Sequence, residues 1–170
     1  MKTTAGNQPE KASQFNIFRD SPLRYLGYAN EVGESFRYQF PFLVAPSYTV
    51  AFSYCILDSA TIGHTTWTNY DASTSSRSRG IHTSIATCDA MMWQTLASVL
   101  IPGYTINMLV KASRFVVSRT MTQTGFAATW LPTAIGMASI PFIVEPIDKA
   151  VDTAMDMTIR QWLSEGEKRH

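Results

Sequence analysis

The chain has 170 residues, a formal net charge of +1 and two cysteines, which suits one domain of ordinary size. Near-neutral charge without a basic stripe or a basic-aromatic patch excludes nucleic acid as a partner, and two cysteines exclude a disulfide framework. Charged residues make up only 16%, against roughly 25% in soluble domains.

Those charges are unevenly spread. Residues 38–57, 90–110 and 120–144 form runs of 20, 21 and 25 residues without Asp, Glu, Lys, Arg or His. Each is long enough to cross a bilayer core, which takes about 20 residues at a rise of 1.5 Å. A soluble helix bundle places a charge on its outer face at nearly every turn, and these runs place none. Mean hydropathy is near zero because the runs contain hydroxyls such as Ser47, Thr49, Ser98, Thr105 and Ser139. A hydroxyl can bond the carbonyl one turn back in its own helix, so these residues do not argue against lipid.

In chain order, residues 1–21 read as an extended polar arm. Its first 18 residues have no apolar run and no arginine, so neither a secretory signal nor a presequence is expected, and any import signal is internal. Residues 22–38 predict an amphipathic helix with Ser21 as N-cap and Pro22 at its first position. Tyr25, Ala29, Val32 and Phe36 share one face of it, which is expected to lie at the membrane interface or against protein.

A first span is expected over 40–61, with Pro41 in its first turn and a bend at Pro46. Residues 63–82 read as a polar loop holding Arg77, Arg79, Trp67 and Tyr70. A second span is expected over 84–110, kinked at Pro102, whose ring clashes with the Ser98 carbonyl. The carbonyl freed there needs another partner. A third span, over 122–145, contains Pro132 and Pro141, with Pro146 just beyond; Pro141 and Pro146 are expected kinks. Residues 147–163 predict a second amphipathic helix. Its apolar stripe is Ile147, Val151, Met155, Ile159 and Trp162, and its acidic stripe is Asp148, Asp152 and Asp156. Near the spans, five basic residues on one face oppose four on the other, so the positive-inside rule leaves orientation open.

Three strings are distinctive: "RYLGYANEVGESFR" (24–37), "WQTLASVLIPGYTIN" (93–107) and "IPFIVEPIDKAVD" (140–152). In order and spacing they resemble the mitochondrial fission process protein 1 family. The resemblance implies a multi-span protein of the mitochondrial inner membrane, acting in inner-membrane organisation and fission without catalytic activity.

Candidate chemistry is sparse. Asp58 and Asp89 flank the 63–82 connector and are expected at the membrane interface, bonded to hydroxyls or to Arg77 and Arg79. A proton site on this pair is the sharper alternative, because intramembrane carboxylates are costly and often functional. Lys111, Arg114 and Arg119, with Trp130 nearby, form a basic group between two spans of the kind that holds anionic lipid head groups such as cardiolipin. Beyond such a lipid, no cofactor and no metal is expected. Glu145 and the acidic stripe read as a solvated or partner-facing surface, since one helix stripe rarely supplies six oxygen ligands. Cys55 and Cys88 read as small apolar residues, and His64 and His82 as loop residues.

The expected protein is therefore all-α and integral to the membrane, with about three transmembrane helices and amphipathic helices at both ends. Its expected work is structural, in contact with membrane lipids and with subunits of a larger inner-membrane assembly such as a respiratory complex or an ATP synthase. The competing class is a small transporter or proton-conducting protein built on the broken spans.

Overall fold

A computed structural model describes residues 22–72, 77–120 and 125–163; the polar arm, Ser21 and residues 122–124 lie outside the described residues. The described residues are helical, with no strand among them. A 3-10 segment Pro22–Tyr28 leads into helix α1 (Ala29–Ser35). Helix α2 is Val44–Thr68 and helix α3 is Arg79–Gln94. A π-helical turn, Thr95–Leu100, joins α3 to α4 (Ile101–Thr120). Helix α5 is Phe126–Met155, prolonged by a π turn at Asp156–Arg160.

α2 packs antiparallel on α3. The pairing is seen in Gly63 against Thr87 and Asp58 against Gln94, where one number rises as the other falls. α4 packs antiparallel on α5, with Gly136 against Val110. The same register runs on to Val151 and Met155, which close over Ala97, Trp93 and Leu96. The short α1 lies between α2, α4 and α5.

Several expected boundaries move. α3, the π turn and α4 make one helical run of 42 residues, Arg79–Thr120. Lys111, Arg114 and Arg119 therefore lie on its last turns rather than in a connector. Helices Val44–Thr68 and Arg79–Gln94 take in both ends of the expected polar loop, so His64, Trp67 and His82 are helical; residues 73–76 of that loop lie outside the described residues. The helix continues through Pro141 and Pro146, so the third span and the second amphipathic helix form one run, Phe126–Leu163. Pro46 falls in the first turn of α2, where an amide N–H has no acceptor within the helix, so no bend is required there.

Among the described residues, two helices are long and apolar enough to cross a membrane: Arg79–Thr120 and Phe126–Leu163. The third expected span, around 40–61, falls in α2. That helix has 25 residues, but its hydroxyls and Asp58 dilute its apolar character. Several hydroxyls bond one turn back, as Thr61 does to the Leu57 carbonyl and Thr105 to that of Ile101, at 2.9 and 2.8 Å.

In α1 the apolar face is turned outward: Tyr25 and Val32 are exposed. The buried residues are Asn30, Glu31, Gly33, Glu34 and Ser35. Elsewhere too, small residues such as Ala51, Cys55, Ala97 and Val99 fill the interior, while Phe42, Phe126, Phe142 and Trp162 stand outside. Within the most apolar windows of the two long helices, only 28% and 17% of residues are buried. A protein surrounded by water buries its large apolar side chains and exposes its carboxylates; here Glu31, Glu34 and Asp58 are buried while many large apolar side chains stand outside.

Candidate functional site: the buried polar cluster

The string "ANEV" places Asn30 and Glu31 at the centre of the bundle. Asn30 Nδ2 donates 3.0 Å to the carbonyl of Val99, inside the π turn just before Pro102. A proline withdraws one donor from its helix and disturbs the preceding turn. The carbonyl-rich turn left at the break is thus served by a side chain from another helix, as a dry interior requires. Gly103 permits the approach, because a Cβ there would lie 2.6 Å from Tyr48 Oη and 2.9 Å from Asn30 Nδ2. Gly33 does the same on the other side of α1, where a Cβ would fall 1.9 Å from Ser47 Oγ.

Glu34 is the most heavily bonded group of the cluster. Arg37 reaches it with Nε and Nη2 at 2.6 and 2.7 Å. Tyr48 Oη donates to the same carboxylate at 3.0 Å, and Asn107 Nδ2 at 2.7 Å. Burial opposes ionisation of Glu34, but the donors from Arg37, Asn107 and Tyr48 prevail and hold its carboxyl below the usual range. One carboxylate thereby ties α1 to α2 and α4.

Glu31 is the opposite case. It is fully buried, and neither carboxyl oxygen has a hydrogen-bond partner among the described residues. Burial pushes its carboxyl up to about 8, and the charge of Asp148 on α5 adds to the rise.

A second polar group lies between α2 and α3. Asp58, with no exposed surface, accepts a hydrogen bond from Gln94, and Gln94 in turn accepts one from Ser98 at 2.8 Å. Asp58 thus sits within the protein and is bonded to Gln94. Asp89 meets Arg160 at 2.9 Å, and the same guanidinium reaches Asp152 and Asp156 at 3.2 and 2.9 Å. Asp152 and Asp156 of the acidic stripe are therefore gathered around an arginine two turns beyond its middle. Arg79 instead stacks 4.3 Å over Trp67 and bonds its carbonyl. Cys55 is buried and Cys88 exposed, both as free thiols.

The basic group is spread along α4. Arg114 lies 4.1 Å over the Tyr38 ring, and Arg119 5.1 Å over that of Phe115. Lys111 is exposed. Arg114 lines a cleft of about 140 Å³ with Tyr38, Gln39, Ser118 and Thr129. Trp130 is outside that lining. Its ring packs with Phe36, Phe40 and Phe126, at centroid distances of 6.4, 6.4 and 5.9 Å.

Asn30, Glu31, Glu34 and Gln94 were not singled out as site residues from sequence. Small residues beside them, Gly27, Gly33 and Ser35, were the available signal: a polar face flanked by small side chains can be buried closely.

Comparison with known proteins places this arrangement. Residues 11–85 and 64–155 match the family described as Mitochondrial 18 KDa protein (MTP18). The chain belongs to the MTP18 family. It is 42% identical to "Mitochondrial fission process protein 1" of Caenorhabditis elegans, over 92% of this chain and 93% of that protein. Identity to the Danio rerio protein of the same name is 42%, over 90% and 92%. For the Homo sapiens protein it is 39%, over 91% of each. No solved structure matches. All three strings that carried the resemblance fall within the residues matched to the MTP18 family. None of these names denotes an enzyme or mentions a respiratory complex or an ATP synthase.

Proposed function

We propose that this chain acts in mitochondrial fission as a non-enzymatic, multi-pass protein of the inner membrane, shaping or organising that membrane. The fission role is supported by the name shared by relatives about 40% identical over nine-tenths of the chain. The membrane role rests on one observation above all, the inverted polarity of the bundle. Carboxylates such as Glu31 and Asp58 lie inside, while Tyr25, Phe126 and Phe142 face outward. Lipid is the surrounding that makes this distribution favourable, because buried polar pairs then hold the helices together and apolar side chains meet acyl chains.

Lys111, Arg114 and Arg119 form the head-group contact in this reading. They lie on the last turns of α4, where Arg114 stacks over Tyr38 and shares a cleft with Gln39 and Thr129, the sequence neighbours of Phe40 and Trp130. Aromatic rings and basic side chains favour the membrane–water boundary, and an anionic lipid such as cardiolipin is the ligand such a patch takes.

The test has two arms in cells lacking the chain. Alkaline carbonate extraction of mitochondria, with protease protection, reads membrane integration. Complementation read by network length reads fission. Expected are retention in the membrane pellet, protection until the outer membrane is opened, and restoration of division. Release into the carbonate supernatant overturns the integral-membrane reading, and an unchanged network overturns the fission role.

A further inference from the structure

Glu31 has no place in the bonding that holds the bundle together. Its side chain has no exposed surface, and both carboxyl oxygens lack a hydrogen-bond partner among the described residues. Asn30 Oδ1 on the same helix and Ser59 Oγ on α2 share this condition. Three residues away, Glu34 shows what a structural carboxylate looks like here: four donor contacts, one pair of them from an arginine. Stability does not call for an unpartnered carboxyl at the centre, since an uncompensated buried charge is strongly destabilising. A buried carboxyl in this position holds a proton instead.

We propose that Glu31 is a proton-binding site, holding its proton while α1 is docked against α5. The facing groups define its field. Glu34 and Arg37, on its own segment, neutralise each other. From α2 come Tyr48 and Cys55, both within electrostatic reach of Glu31, with Asp58 beyond Cys55. From α5 comes Asp148. The buried residues of α4 (Pro102, Gly103, Ile106, Val110 and Val117) carry no charge. Of the charges facing Glu31, Asp148 acts to raise its carboxyl, in addition to burial. When the proton leaves to solvent, two like charges face each other across the α1–α5 contact, so proton binding is coupled to the packing of α1. The site rests on the geometry of the bundle and is independent of the fission role.

The experiment uses the full chain in phosphatidylcholine nanodiscs, titrated from neutral to alkaline pH. Infrared spectroscopy reads the carbonyl band of a buried carboxylic acid, and hydrogen exchange reads residues 29–35. The wild type is expected to show an acid band at neutral pH that fades as pH rises through about 8, with the protection of residues 29–35, corrected for the intrinsic rise of exchange with pH, falling until the band is lost. Glu31→Gln is expected to lack that band and to keep one protection factor in 29–35 across the range, once the intrinsic base-catalysed rise of exchange is divided out. Asp148→Asn removes the opposing charge: the acid band is expected to fade at lower pH, because the Glu31 anion is then less disfavoured, and the loss of protection in 29–35 to be smaller. The proposal is overturned if the wild type shows no titrating acid band, if Glu31→Gln retains it, or if the Asp148→Asn band titrates unchanged. Should Glu31→Gln fail to fold, the wild-type and Asp148→Asn titrations decide.

Discussion

Arg37 grips Glu34 through two parallel hydrogen bonds of 2.6 and 2.7 Å, although the arginine is 38% exposed and the glutamate only 2%. The arginine thus reaches inward from the surface to neutralise the interior end of α1, where Tyr48 and Asn107 also converge on the same carboxylate.

Glu34→Ala is accordingly expected to be the most damaging single change in the cluster. It strands donors from Tyr48 and Asn107 and removes the partner of Arg37. Leaving a buried donor unmet costs roughly 1–3 kcal/mol, so a loss of about 3 kcal/mol is expected, discounted from a fully buried pair because Arg37 is partly exposed. Thermal unfolding in mild detergent measures it; an unchanged midpoint would count against the bonding described. The pH dependence has a definite sign. Because the Glu34 carboxyl titrates below its usual value, its contribution is present above the ordinary carboxylate range and is lost as pH falls through the lowered pKa. Glu31 acts in the other direction. Its carboxyl is raised from 4.5 to about 8, so the native state keeps a proton that the unfolded chain has lost, and stability falls as pH rises through that window.

Asn30→Leu is expected to weaken the break in the long helix rather than the bundle at large. The Val99 carbonyl loses its donor, at roughly 1–3 kcal/mol for an unmet buried acceptor. Hydrogen exchange is expected to rise first in residues 95–103. Uniform acceleration along the whole chain, or none, would show that the side chain does not serve the π turn.

Arg160→Ala is expected to release the end of the last helix. Asp89, Asp152 and Asp156 then lose their shared cation. These groups are partly exposed, and exposed pairs contribute about 1 kcal/mol or less, so the global unfolding midpoint should barely move. Limited proteolysis should instead open sites beyond Asp156 in the variant and leave the rest intact. Identical cleavage patterns for variant and wild type would remove the latch.

Replacing Lys111, Arg114 and Arg119 together with Gln is expected to reduce binding of anionic lipid by roughly 1 kcal/mol per charge near the surface. Native mass spectrometry or lipid co-purification with cardiolipin measures it, and added salt should weaken wild-type binding more than that of the variant. Equal cardiolipin retention by both proteins would assign these cations to ordinary flanking roles.

Much of the architecture was legible in the linear pattern. Charge-free runs announce long apolar helices, because a bilayer or a dry interior admits few unpaired charges. Hydroxyls within those runs bond back to their own helix, as local geometry dictates, and Pro102 marks a break because a proline withdraws one donor wherever it stands. Three things depended on the third dimension. Periodicity identifies two faces of α1 but not which one is inside; only the packing of α2, α4 and α5 around it turns Asn30, Glu31 and Glu34 inward. Pro141 and Pro146 suggest kinks, and only the packing shows that α5 runs on through both, because its stripe of Ile147, Val151 and Met155 finds a surface at Trp93, Leu96 and Ala97 that rewards continuation. Partners far apart in the chain, Asp58 with Gln94 and Asp89 with Arg160, follow from helix register, which no local signal encodes.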